Sequence, residues 1–142
     1  MKFRQLASMV LVGLAVLVVG CQAKKPSSSG YGSSNGLSTV YFDYDQAFIR
    51  SDAASALQNN ANYLRKNVST SVSIEGHCDE RGTNEYNLAL GQRRAQSAKD
   101  YIINLGIGDN RMRTVSYGEE KSVCYESNES CWSRNRRADF NR

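Results

Sequence analysis

Leu90, Arg94, Ala98 and Ile102 recur at every fourth position. Residues four apart share one face of an α-helix, so this spacing puts an arginine inside an apolar packing stripe. A guanidinium withdrawn from water is rarely left without partners. The fold must therefore carry acceptors to the packed side of this helix. Asp79, in the segment just before it, is within reach of its first turns, and Asn87, one turn before Leu90, can orient either group. An internal Asp79–Arg94 salt bridge and a ligand-completed pair are both compatible with this spacing. In the second case Arg94 takes a carboxylate through two parallel bonds and Asp79 takes an ammonium. Free amides near Thr83 and Asn84 add to the pull on an anion.

The flanking sequence alternates between strand and helix patterns. Thr39-Val40-Tyr41-Phe42-Asp43-Tyr44 is β-branched and aromatic and predicts a strand. Ser51-Asp52 has the character of a helix start, with Ser51 as the cap, and Ala54, Leu57, Ala61 and Leu64 form a stripe that ends at the cations Arg65 and Lys66. Ser71-Val72-Ser73-Ile74-Glu75 alternates as a half-buried strand does. A longer helix follows from Thr83 or Asn84, and Gly106 stops it. Met112 to Tyr117 alternates again, a polar loop carries Cys124 and Cys131, and Arg137 to Phe140 closes the pattern as a short strand. The order β-α-β-α-β-β predicts a sheet of about four strands with two main helices on one face.

The N-terminal part has another character. Lys2 and Arg4 precede an apolar run, Leu6 to Val19, which is shorter than the ~20 residues of a membrane-spanning helix. Gly20-Cys21 follows, so residues 1–20 are expected to be a cleaved signal peptide and Cys21 the site of lipid attachment. Its loss leaves 16 basic against 14 acidic residues and lowers the formal charge from +4 to +2. That near balance gives no case for nucleic acid as a partner. Residues 21–38 comprise the lipidated cysteine and a Ser/Gly-rich stretch with the only proline, Pro26. This composition predicts a tether with a mean reach of roughly 20–25 Å over its ~16 residues. Cys124 and Cys131 flank a short polar stretch and can close a disulfide ring in an oxidising compartment, although pairing of Cys78 with that loop is also open. Otherwise Cys78 is a small, half-buried hydrophobe. The lone histidine, His77, excludes a paired-histidine zinc motif, so neither a metal, a cofactor nor catalytic residues are expected.

Gly76-His77-Cys78-Asp79-Glu80-Arg81-Gly82-Thr83-Asn84-Glu85-Tyr86-Asn87 and Leu90-Gly91-Gln92-Arg93-Arg94-Ala95 together resemble the OmpA-like peptidoglycan-binding domain. Val40 to Asp45, Val115 to Lys121 and Ser133 to Ala138 resemble further motifs of that family, in the same order. The resemblance implies an α+β two-layer sandwich with a mixed sheet over residues 39–142. It implies binding without catalysis. The ligand would be the meso-diaminopimelate of peptidoglycan stem peptides, whose side chain ends in an ammonium and a carboxylate on one carbon. By the family motif Asp79 and Arg94 are the primary contacts and Asp43 lines the same pocket, with Phe42, Tyr44, Asn87 and Leu90 as walls or support. Cys78 stands where the family usually has Thr or Ala, and the Cys124/Cys131 loop is a departure from most members. Lipid-anchored members work with the Tol system, which implies TolB as a partner; a lipoprotein of another envelope assembly, anchored to peptidoglycan without TolB, is the alternative. Gln22 is not the aspartate that the resemblance links to inner-membrane retention, which implies the outer membrane, facing the periplasm.

Overall fold

The computed structural model describes residues 36–142. The expected signal peptide, the lipid-attachment residue Cys21 and nearly all of the expected tether lie outside the described residues. The elements run β1 (Val40–Tyr41), α1 (Ser51–Lys66), β2 (Val72–His77), α2 (Asn84–Asn104), β3 (Met112–Gly118), α3 (Glu129–Asn135) and β4 (Arg137–Asn141), with a single 3-10 turn at Asp109–Arg111. The sheet order is β1-β4-β2-β3. β4 is antiparallel to both β1 and β2, whereas β2 and β3 are parallel, joined through α2. This is an α+β, two-layer arrangement with a mixed four-stranded sheet.

Strand alternation sorts the side chains. Val72 and Ile74 of β2, Ala138 and Phe140 of β4, and Val40 of β1 all point into one core. Leu57, Ala61 and Leu64 of α1 and Ala95, Ala98 and Ile102 of α2 meet them there. The alternate residues His77, Arg137 and Asp139 lie on the far side of the sheet. There Asp139 accepts from Thr39 Oγ1 at 2.8 Å and from Arg137 Nε at 2.8 Å. Leu37, which composition assigns to the tether, is only 1% exposed and joins the core. Buried Asn60 of α1 pairs with both backbone groups of Ser38, accepting from its N–H at 2.6 Å and donating to its carbonyl at 2.8 Å. The amide stands in for a neighbouring strand where the chain enters the domain.

By the same alternation Gly76 is helix-facing, and it meets Gly91 of α2. A Cβ on Gly76 would lie 1.8 Å from the Gly91 carbonyl oxygen. Two missing side chains thus let α2 lie against β2 backbone to backbone, and Arg94 follows one turn later on that same seam. Thr83 caps α2 through its hydroxyl, which accepts from the Tyr86 amide at 3.2 Å. At the other end Gly106 adopts φ +91°, and Gly106 and Ile107 donate to the carbonyls of Ile103 and Ile102 at 2.8 and 3.3 Å.

Three local expectations are corrected. The first strand is paired only over Val40–Tyr41, because the chain turns at Asp43–Gln46, with Asp45 at φ 56°. Ser51 is the first residue inside α1. The cap position is Arg50, whose side chain makes no capping bond and instead reaches Asp52 and Asp43 at 3.0 and 2.9 Å. The polar loop contains a helix, α3, capped by Asn128, whose side chain accepts from the Cys131 amide at 3.0 Å.

Candidate functional site

The C-terminal end of β2, the Asp43–Gln46 turn and the first turns of α2 converge on a cavity of about 120 Å³. Tyr44, Asp79, Asn87, Leu90 and Arg94, all expected from sequence, line it. Asp45, Cys78, Arg81, Gly82 and Tyr86 complete the wall.

Arg94 is 1% exposed, and every acceptor it finds is uncharged. Its Nε donates to the Gln46 carbonyl at 2.8 Å, Nη1 to the His77 carbonyl at 2.8 Å, and Nη2 to the Asp43 carbonyl at 3.1 Å. Nη1 also approaches Cys78 Sγ at 3.4 Å, and the guanidinium lies 5.3 Å from the centre of the Phe42 ring. Burial lowers its pKa from the ordinary arginine value. No bridge joins Arg94 to Asp79. The internal salt bridge that spacing allowed is replaced by three carbonyls, brought by a turn and a strand end.

Asp79 is held by two other arginines. Its Oδ1 accepts from the amide and Nε of Arg81 at 3.1 and 3.0 Å, and its Oδ2 accepts from Arg81 Nη2 at 2.7 Å and Arg136 Nη1 at 3.3 Å. Burial on its own would raise the Asp79 pKa, but the bonds from Arg81 and Arg136 outweigh it and hold the carboxyl below the usual aspartate value. Arg136 is itself buried, and also donates to the Phe42 carbonyl at 3.0 Å and to Glu129 at 2.5 Å. The Arg81 guanidinium lies between two rings, 3.9 Å from the centre of Tyr44 and 4.1 Å from that of Trp132. Asn87 Nδ2 fastens the loop by donating to the carbonyls of Asp79 and Arg81, each at 3.2 Å.

Phe42 and Asp43 take other parts than lining. Phe42 is buried beneath Arg94, and Asp43 offers Arg94 its carbonyl while its carboxylate pairs with Arg50. The tyrosine hydroxyl of Tyr86 donates to Asp45 at the rim. Cys124 and Cys131 form a disulfide and Cys78 is the free thiol among the described residues. Cys78 donates to the Asn87 carbonyl at 3.3 Å, and burial pushes its pKa up to about 11. At neutral pH it is a thiol and a poor nucleophile. Arg81 and Arg136 are the charged partners of Asp79 that spacing did not single out. Arg81 could have been found as the cation adjoining Asp79 in the motif; Arg136 is 57 residues away from its partner and left no local signal.

The family model of the OmpA family matches residues 41–136. Among curated relatives, the peptidoglycan-associated lipoprotein of Rhizobium meliloti (strain 1021) is 42% identical over 147 residues, covering 92% of this chain and 84% of that protein. The protein of the same name from Brucella melitensis biotype 1 is 47% identical over 122 residues, covering 86% and 73%. The crystal structure of the peptidoglycan-associated lipoprotein from Burkholderia pseudomallei superposes with a TM-score of 0.70 at 44% identity, covering 72% of this chain and 87% of that one. With a family model over residues 41–136 and relatives and a solved structure alike over most of its length, the chain belongs to the OmpA family.

Proposed function

We propose that this chain is an outer-membrane lipoprotein, anchored through Cys21 and facing the periplasm, that holds peptidoglycan non-covalently. It is a binding protein and not an enzyme. The observation that carries this reading is Arg94: a buried cation on the wall of a cavity, met only by neutral groups, three carbonyls and the Cys78 thiol. A carboxylate entering that cavity gains a charge-assisted bond in a place of low dielectric, where it is worth most. Asp79 lines the same cavity and is the acceptor for an ammonium. The free end of meso-diaminopimelate carries both groups on one carbon and matches the pair. Tyr44, Asn87 and Leu90 shape the walls, Phe42 supports Arg94 from beneath, and the Asp43 carbonyl orients it. The relatives' shared name, peptidoglycan-associated lipoprotein, supports the same assignment.

In this reading residues 1–20 are removed, residues 21–38 link lipid to domain, and TolB is the protein partner through the Tol-Pal system. Three acyl chains on Cys21 make release from a bilayer slow. The test is sedimentation of the lipidated full chain, in mild detergent, with insoluble peptidoglycan and with purified stem peptides. Wild type should co-sediment with diaminopimelate-type walls and bind lysine-type stems at least tenfold more weakly, because lysine lacks the second carboxylate; Arg94→Ala should lose both. Equal retention of Arg94→Ala, or no preference between stems, overturns the assignment. Co-purification of TolB, competed by stem peptide, tests the partner separately.

A further inference from the structure

All four acceptor positions of the Asp79 carboxylate are taken, three by Arg81 and one by Arg136. The two arginines are not equally fixed. Arg136 has a side chain only 6% exposed and is tied as well to the Phe42 carbonyl and Glu129. The Arg81 side chain is 29% exposed, and beyond Asp79 it is held by the faces of Tyr44 and Trp132. Trp132 is in turn positioned from outside the cavity. Its Nε1 donates to Glu80 at 3.0 Å, Ser127 Oγ donates to the same oxygen at 2.6 Å, and the Cys124–Cys131 disulfide closes the ring that holds Ser127 and ends beside Trp132. A ligand ammonium and the Arg81 guanidinium therefore seek the same two oxygens.

Resting on the reading above, we propose that Arg81 is an internal competitor for the ligand's ammonium and so a specificity-determining residue. Binding displaces the Arg81 guanidinium from Asp79, while Arg136 keeps the aspartate charged and oriented. The displaced side chain is not stranded, because Glu129 lies 3.8 Å from Arg81 Nη2 and offers a second carboxylate. The Trp132 segment sets how readily Arg81 leaves. The selective consequence is direct. A ligand with a carboxylate alone can reach Arg94 but cannot replace Arg81, whereas a zwitterion does both.

Calorimetric titration of the full chain with a diaminopimelate stem peptide tests this. Arg81→Gln should bind about three- to tenfold more tightly than wild type, the range set by loss of one partly exposed ion pair. Trp132→Ala, which removes one face of the stack, should tighten binding by a smaller factor. Acetylation of the peptide's distal amine should abolish both gains. In wild type, the Arg81 Nε–H resonance should lose its protection from solvent exchange as peptide is added. Unchanged or weaker binding by a folded Arg81→Gln, or an Arg81 resonance that peptide leaves untouched, overturns the competitor role and leaves the functional reading standing. Absence of any binding by wild type overturns both.

Discussion

Arg94 and Arg111 stand at opposite ends of β2 and are wired alike. Arg94 donates to the carbonyls of Asp43, Gln46 and His77. Arg111 donates to those of Leu64, Asn67 and Thr70, at 2.6–3.0 Å. Their surroundings differ. Two of the Arg111 acceptors lie at the C-terminal end of α1, where the helix dipole places partial negative charge, and Arg111 is partly exposed to water. The Arg94 acceptors belong to a turn and a strand end, without a helix terminus, and the side chain is sealed from bulk solvent. The same set of bonds makes Arg111 a rivet between α1 and the start of β2. It makes Arg94 a positioned cation with electrostatic demand left over. Hydrogen bonding satisfies geometry in both; a helix terminus adds partial negative charge in only one.

Substitutions at the two ends should separate these roles. Arg94→Ala should lose about 3–4 kcal/mol of stability, since three carbonyls lose a charged donor at a buried position, and stem-peptide binding should vanish with it. Urea denaturation and titration read the two effects. Gly76→Ala attacks the seam that delivers Arg94, and a methyl driven into the Gly91 carbonyl should cost about 3 kcal/mol. A melting temperature within a degree of wild type would show that α2 does not need the close approach. Arg111→Ala should cost about 2 kcal/mol and leave stem-peptide affinity unchanged. If it weakens binding as Arg94→Ala does, the two ends are not distinct.

The smallest effect concerns His77, whose carbonyl is an Arg94 acceptor. Its ring is buried, stacks on Tyr117 at 5.7 Å, and makes no hydrogen bond at either nitrogen, although Nε2 lies 3.5 Å from Asp139. Burial and nearby Arg137 lower its pKa from 6.5 to about 4, against the opposing pull of Asp139. Between those values the unfolded chain binds more protons than the folded one. Stability contributed by the neutral ring is therefore full above pH 6.5 and falls as pH drops toward 4, by about 1 kcal/mol at pH 5.5. Chemical denaturation at pH 7.5 and 5.5 should show that loss in wild type and a flatter profile in His77→Phe.

Much of this was readable in one dimension because it depends on short-range periodicity. The fourfold spacing through Leu90, Arg94, Ala98 and Ile102 located the buried guanidinium, Thr83 and Gly106 marked the ends of α2, and the period-two runs placed β2 and β3. The motif brought Asp79, Asn87 and Leu90 to the cavity with Arg94. The misses share a different cause. Thr39 to Tyr44 has strand character throughout, but only two residues are paired, since the turn at Asp43 serves Arg94 and not the ladder. α3 is seven residues long, too short to display a period, and its sign was the cap Asn128. Phe42 and Asp43 act through a ring face and a carbonyl, which residue identity does not announce.

Residue order alone determined that an arginine would be buried on α2 and that an acid would precede that helix, because both follow from local geometry of the chain. Only the tertiary structure decided their partners. Arg94 received carbonyls from the Asp43–Gln46 turn and the end of β2, and Asp79 received Arg136 from beside β4. Those pairings depend on the order β1-β4-β2-β3, which sets the first and last strands side by side next to β2. Long-range pairing arises from packing the whole sheet, and no window of sequence contains it.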